Sequence, residues 1–216
     1  MVWRRNSERD TRHRTLEETE GYWRRPDDGS NQPEDYLNPQ RGHSRSRFLL
    51  ELIGNRLAPS TGALEVGCNV GRNLQHLADS GWAPLAGIEI NPEAVRLLHE
   101  HQPGLGAADI YNEPAETALT GIEDGSFGLV FTMAVLVHIH PEVAETVFDG
   151  MARVCDRTLI VIEDEHTSAS WRHFKREYRS VFEGRGLKQV HEGKCGSERS
   201  GLPASYVARV FDAPTG

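Results

Sequence analysis

Between residues 62 and 211 the chain repeats one alternation: a short run that is apolar almost throughout, then a longer stretch with apolar residues every three or four positions. The short runs are residues 62–66, "APLAGIEI", "LGAADI", "SFGLVFTMAV" and "RTLIVIED". A strand that is apolar on both faces has to be covered on both faces, which is the condition of a parallel sheet layered between helices. The spacing predicts helices over 71–80, over "NPEAVRLLHEH" with Asn91 as cap and Pro92 at the first position, and over "PEVAETVFDGMARVC". A charged helix with a glycine stop is expected over "ASWRHFKREYRSVFEGRG". The segments "LKQVHEGKC" and "PASYVARVF" follow with no helix between them, so they are expected to pair as an antiparallel hairpin. The expected fold is a doubly wound, Rossmann-like α/β sheet, mostly parallel and seven-stranded, with an antiparallel C-terminal edge and helices on both faces.

The alternation does not extend to the N-terminus. Residues 1–40 form a polar arm distinct from the domain expected over 41–216. Its first part, 1–18, has the composition of a disordered leader. For 19–40, disorder and a lid folding over a ligand are equally weighted. The arm carries Trp3, Tyr22, Trp23 and Tyr36, and the last three are candidates to line a substrate pocket. From Ser44 a helical pattern begins, with Phe48, Leu49, Leu52, Ile53 and Leu57 on one face and Ser44 or Ser46 as the expected cap.

Composition removes several function classes. The 216 residues carry a formal charge of −8, which disfavours nucleic acid as the main partner. No apolar run approaches the ~18 residues of a membrane-spanning helix, so no membrane partner is expected. The arginines of "MVWRRNSERDTRHR" precede no apolar core, so the start does not read as a signal peptide. Three cysteines without a CxxC pair fit neither a disulfide framework nor structural zinc, and point to a cytoplasmic location.

Ligands of doubly wound sheets bind outside the carboxyl ends of the strands, so the chemistry is sought just after each apolar run. The first run ends in Glu65-Val66-Gly67-Cys68-Asn69-Val70-Gly71-Arg72-Asn73. The Lys-Ser/Thr of a phosphate-binding loop is missing. Asn69 and Arg72 stand where a dinucleotide loop needs its second and third glycines. What remains is E-x-G-x-x-x-G. Gly67 allows close backbone approach to a ligand, and Gly71 lets the next helix start against the strand. Glu65 places a negative charge that suits a ligand with a cationic end. Glu89, 22 residues after Gly67, is positioned to accept hydrogen bonds from ribose hydroxyls. A ribose and a cationic end without a phosphate describe S-adenosylmethionine.

"LEVGCNVGRNL … GIEINPEAV … AADI … FGLVFTMAVLVHIHPE" resembles the class I S-adenosylmethionine-dependent methyltransferases over about residues 44–211. The loop and "VLVHIHPE" look most like a subgroup associated with sugar and natural-product biosynthesis, such as the pseudaminic-acid-associated methylases. The resemblance implies a role for each matching position. Glu65 would meet the amino-acid end of the cofactor, with Gly67, Cys68, Asn69 and Gly71 wrapping it and Asn73 opening the helix beside it. Glu89 would hold the ribose, Ile90 would pack on adenine, and Asp109 with Ile110 would read the adenine edge. Thr132 and Met133 would meet the methionine part, and His138 would lie near the acceptor. The chain departs from the pattern at Cys68-Asn69, where glycine or serine is common, and lacks the Asn/Asp-Pro-Pro-aromatic motif of nucleobase amino-methylating enzymes.

Transfer of a sulfonium methyl group needs the acceptor aligned, water excluded and, for hydroxyl or ammonium acceptors, a proton removed. His138, Glu163 and His166 are the catalytic candidates, and Tyr22, Trp23, Tyr36, His138, Asp164 and Tyr178 the substrate-binding ones. His140 reads more readily as a helix-entry residue before Pro141. The acids after the fifth run are candidates to bind a cationic acceptor, and the arginines of the charged helix an acidic one. No metal is expected, because "TMAVLVH" offers no acid. The expectation is a methyltransferase acting on an O or N atom of a small molecule, as monomer or homodimer. The alternatives are methylation of a protein or peptide side chain, and a catalytically inactive scaffold.

Overall fold

A computed structural model describes residues 14–167, 170 and 172–214. Seven strands form one sheet in the order β3-β2-β1-β4-β5-β7-β6. They are β1 (Ala63–Val66), β2 (Leu85–Ile88), β3 (Asp109–Tyr111), β4 (Phe127–Met133), β5 (Cys155–Asp164), β6 (Lys188–Lys194) and β7 (Tyr206–Asp212). The first five pair in parallel, and β7 runs antiparallel between β5 and β6. The doubly wound sheet with an antiparallel C-terminal edge is therefore the fold of the chain.

The helices are α1 (Leu16–Arg24), α2 (Pro39–Ile53), α3 (Arg72–Asp79), α4 (Pro92–His101), α5 (Ala115–Gly121), α6 (Pro141–Val154), α7 (Tyr178–Glu183) and α8 (Ser197–Ser200). They divide the core in two, because strands buried on both faces need apolar partners on both. Leu64, Val66 and Val130 pack towards Leu119, Phe148 and Phe182 of α5, α6 and α7. Leu49, Ile53, Leu74 and Leu77 of α2 and α3 pack with Phe131 and Ile160 on the other side.

Three expectations change. The helix read from Ser44 starts at Pro39, a residue whose fixed φ suits a first helical position. Ser46 is consequently no cap; it lies inside α2, buried against α3. The charged helix shrinks to Tyr178–Glu183, with Glu177 capping it through Arg179 N and Ser180 N. Ahead of it, Ser170 and His173 form an antiparallel bridge and Phe174 N donates to Val137 O at 2.8 Å, pairings that a helix there would break. Ala169 and Trp171 of that stretch, and residues 1–13 of the arm with Trp3, lie outside the described residues. Within the arm α1 is a helix, begun by a reciprocal Thr15–Glu18 capping box.

Candidate functional site

The strand order reverses between β1 and β4, and the crevice at their carboxyl ends opens into a cavity of about 390 Å³, within the range of small-molecule sites. Its floor is the loop after β1. Gly67 has φ +76°, and an added methyl there would collide with the Val135 side chain. The loop therefore requires glycine both for backbone conformation and for space. Gly71 also has a positive φ, but it lies behind the cavity, where a Cβ would strike Leu98 and Leu105.

Glu65, 2% exposed, accepts from Asn73 Nδ2 at 2.7 Å through Oε1. Asn73 in turn accepts the Ser46 hydroxyl at 2.8 Å, so β1, α3 and α2 share one buried chain of polar groups. Glu65 Oε2 is buried with no hydrogen-bond partner among the described residues. Burial pushes its carboxyl up to about 8, against a smaller lowering by Asn73 and Arg72. Glu89 closes the other side of the floor. Its Oε2 accepts Asn69 N and its Oε1 accepts Asn91 N, each at 2.8 Å. Burial raises its pKa while these amides pull it down. A carboxylate has about four lone-pair sites, so acceptor capacity remains for a hydroxyl donor. Cys68, Asn69, Ile90 and Met133 complete the floor and walls.

The roof is α1 and the turn that follows it, with Thr19, Glu20, Trp23 and Asn31 facing the cavity and Tyr36 beside them. The Trp23 ring lies 4.5 Å from His138, and His138 lies 5.0 Å from His173. His138 Nδ1 sits 2.9 Å from the Arg172 carbonyl oxygen, which only accepts, so Nδ1 carries the proton and Nε2 keeps its lone pair. Burial depresses the ring to about 3, so it is neutral across the physiological range. His140 caps α6: its Nδ1 accepts Glu142 N at 3.3 Å and its Nε2 donates to Arg14 O at 3.1 Å.

Several candidate residues lie elsewhere, for identifiable reasons. Glu163 is fully buried and turned onto the turn after β4, accepting Thr132 Oγ1 at 3.1 Å, Val135 N at 2.9 Å and Val137 N at 3.3 Å. Burial raises its carboxyl to about 7. Thr132 is buried with it, away from the cavity. Asp164 accepts His166 N, Thr167 N and the Ser205 hydroxyl, anchoring its own turn and leaving the His166 side chain exposed outside the cavity. Glu165 pairs with Arg209 at 2.8 Å. The acid cluster thus spends its charge on three different neighbours. Tyr178 is 0% exposed in the core beside Phe148 and Phe182, so it lines no pocket. Tyr22 points away from the cavity, into a set of hydrogen bonds with Asp28, Ser30, Asn31 and Arg172.

Asp109 and Ile110 are displaced by register. Tyr111 pairs with Ile88, so the carboxyl end of β3 lies beyond Asp109, and Glu113 to Glu116 meet the cavity instead. The sequence reading also missed Arg45 and Arg72, which line the cavity beside Tyr36. Arg72 directly follows Gly71 in the loop motif, and that adjacency was its available signal. Arg45 had none short of knowing where α2 begins. Of the remaining arginines, Arg176 donates to the carbonyls of Leu136 and Ile139, and Arg185 pairs with Glu145 and Asp149.

Residues 64–160 match the methyltransferase domain family. Over 92 residues, 42% of this chain, the sequence is 36% identical to the ubiquinone biosynthesis O-methyltransferase of Ralstonia nicotianae. The match spans 38% of that relative's length. Among solved structures, the fold is similar to the 1,6-didemethyltoxoflavin-N1-methyltransferase of Burkholderia thailandensis, determined with bound 1,6-didemethyltoxoflavin and S-adenosylhomocysteine. The TM-score is 0.71 at 14% identity, over 95% of this chain and 93% of that one. The N-methyltransferase NodS of Bradyrhizobium japonicum, solved with S-adenosylhomocysteine, aligns with a TM-score of 0.68 at 16% identity, over 94% and 100%. Residues 64–160 are thus similar to a methyltransferase domain, and the whole sheet has the Rossmann-like fold of the solved methyltransferases. The methyltransferase match indicates S-adenosylmethionine as the cofactor, and the Glu65 oxygen without a partner among the described residues, the glycine cradle at Gly67 and the remaining acceptor capacity of Glu89 suit its cationic and ribose ends.

Proposed function

We propose that this protein moves the methyl group of S-adenosylmethionine to an oxygen or nitrogen atom of a small molecule, in sugar or natural-product biosynthesis of the kind served by pseudaminic-acid-associated methylases. The observation that carries the reading is the continuity of the cavity. One continuous cleft joins the Gly67 loop and Glu89 to a compartment walled by Trp23 and His138. The roof leaves room for a small acceptor rather than a folded protein or a polymer. In this reading residues 19–40 act as a lid.

When bound, S-adenosylmethionine supplies an electrophilic methyl group on a sulfonium with a neutral thioether as leaving group. Glu65 would hold the ammonium of its amino-acid end, Glu89 would accept from the ribose, and Ile90 would pack on the base. Arg45 and Arg72 offer positive charge for a carboxylate. The Trp23 ring and α1 exclude water, which strengthens each of these interactions. His138 Nε2 accepts the O–H or N–H of the acceptor and turns its lone pair towards the methyl group. A ring depressed to about 3 is too weak a base to deprotonate the acceptor beforehand; it orients the acceptor and, for a hydroxyl, takes the proton as the new bond to the methyl group forms.

The test is incubation with S-adenosylmethionine and panels of hydroxylated and amino small molecules, reading S-adenosylhomocysteine. His138→Ala is expected to bind S-adenosylmethionine normally and to turn over about a hundredfold more slowly. Unchanged turnover in that variant would remove His138 from the reading. Formation of S-adenosylhomocysteine only with protein substrates would remove the small-molecule acceptor.

A further inference from the structure

Arg172 joins two groups, the His138 site and the Tyr22 hydrogen-bond set. Its backbone oxygen receives His138 Nδ1 at 2.9 Å. Its guanidinium donates from Nη1 to the Tyr22 hydroxyl at 2.8 Å, stands 3.9 Å from Asp28 and lies 5.7 Å from the centre of the Tyr22 ring. Tyr22 meets Trp23 edge to face at 5.1 Å, and the Trp23 ring packs against His138 at 4.5 Å. The residue is held in the Ser170–His173 bridge, itself tied to the turn after β4 by Phe174 N on Val137 O.

We propose that Arg172 is a positioning residue that makes two events one: seating of the α1 arm over the cavity, through Tyr22, and fixing of the His138 proton on Nδ1, through its own carbonyl. The inference rests on the reading of His138 as the acceptor-facing group. A neutral imidazole in water exchanges its proton between two nitrogens, and only one tautomer leaves Nε2 free to accept. Here the selection is made by a carbonyl whose residue is anchored to the arm by its side chain. With the arm away, both the guanidinium anchor and the Trp23 cover are lost. His138 then regains water and its choice of tautomer. Trp23 of α1, His173 and Arg172 of the bridge, and Asp164 at the end of β5 are the groups that face or bias the ring.

The experiment is nitrogen-15 NMR of the histidine side chains in the full chain, with amide exchange over residues 16–24, for wild type, Tyr22→Phe, Arg172→Met and Arg172→Lys. Wild type is expected to show His138 protonated at Nδ1 only. Tyr22→Phe and Arg172→Met are expected to speed amide exchange in α1 by about tenfold, mix the two His138 tautomers and move its titration up towards the ordinary histidine range. Arg172→Lys, which keeps a cationic donor for Tyr22, is expected to restore part of both effects. Faster exchange in α1 with an unaltered His138 signal overturns the coupling, as does no change in either. Tyr22→Phe removes a single oxygen atom and keeps the test available if Arg172→Met does not fold. The tautomer is read without cofactor, so failure of the wild type to bind S-adenosylmethionine would overturn the methyltransferase reading and leave this result to stand or fall by itself.

Discussion

Asn73 and Glu65 face each other across 2.7 Å, the amide donating to one carboxyl oxygen while the other oxygen is buried without a partner among the described residues. One hydrogen bond does not offset the burial of that carboxyl, and its pKa rises to about 8. At pH 7 the group is therefore mostly protonated in the unliganded chain. A cationic ligand end brought against it favours the carboxylate, so binding releases a proton. Calorimetry of S-adenosylmethionine binding in buffers of different ionisation enthalpy is expected to show release of nearly one proton at pH 7, fading above about pH 9. Glu65→Gln abolishes the release. Equal release by that variant would place the proton elsewhere.

Glu163 supports the turn after β4 rather than contacting an acceptor. Its folded-state pKa of about 7 lies above the unfolded value of 4.5. The folded chain thus holds the extra proton; the stabilisation is complete below about pH 4.5 and is lost as pH rises through 7. Glu65 extends the same trend to about 8. The melting temperature of the unliganded chain is expected to fall between pH 5 and 8. Glu163→Gln sets an amide donor against Val135 N and Val137 N and costs about 1–3 kcal/mol at pH 5, with a shallower fall above it. A wild-type melting temperature that rises over this interval contradicts the assignment. So does a Glu163→Gln variant of normal stability that raises only the acceptor KM.

Ala134 sits at φ +62° between two cavity residues, Met133 and Val135, a conformation that costs a non-glycine residue roughly 1–2 kcal/mol. Ala134→Gly is expected to hold or raise the melting temperature, and Gly67→Ala to lower it and abolish cofactor binding. A destabilised Ala134→Gly variant would show that its methyl group contributes packing outweighing the strain.

His138 is buried neutral, its ring held near 3 by desolvation. Its contribution to stability is complete above about pH 6.5 and is lost as pH falls towards 3. The pH dependence of kcat is therefore expected to show no histidine limb between about pH 5 and 8. A limb in that interval that vanishes in His138→Ala would show that the ring titrates freely.

The sheet was legible because each strand announces itself locally, by being apolar on both faces. The Gly67 loop and Glu89 were legible for the same reason: glycine spacing and a strand-end acid are properties of a few consecutive residues. What could not be read depends on distant partners. Asp109 matched a motif, but the end of β3 is set by Tyr111 pairing with Ile88. Glu163, Asp164 and Glu165 look alike in the sequence, and only the positions of Thr132, Ser205 and Arg209 separate their fates. Tyr178, a pocket candidate by sequence, belongs to the core. Its spacing of four from Phe182 was the overlooked sign of a core face.

The cavity between the Gly67 loop, Glu89 and α1 is expected to hold S-adenosylmethionine. Calorimetric titration of the full chain with S-adenosylmethionine, with NAD as control ligand and Glu89→Ala as control variant, tests it most directly. The expected result is saturable binding of one S-adenosylmethionine per chain, weaker by about ten- to a hundredfold in Glu89→Ala, with no comparable binding of NAD. Absence of binding by the wild type, equal binding by Glu89→Ala, or tighter binding of NAD would contradict it.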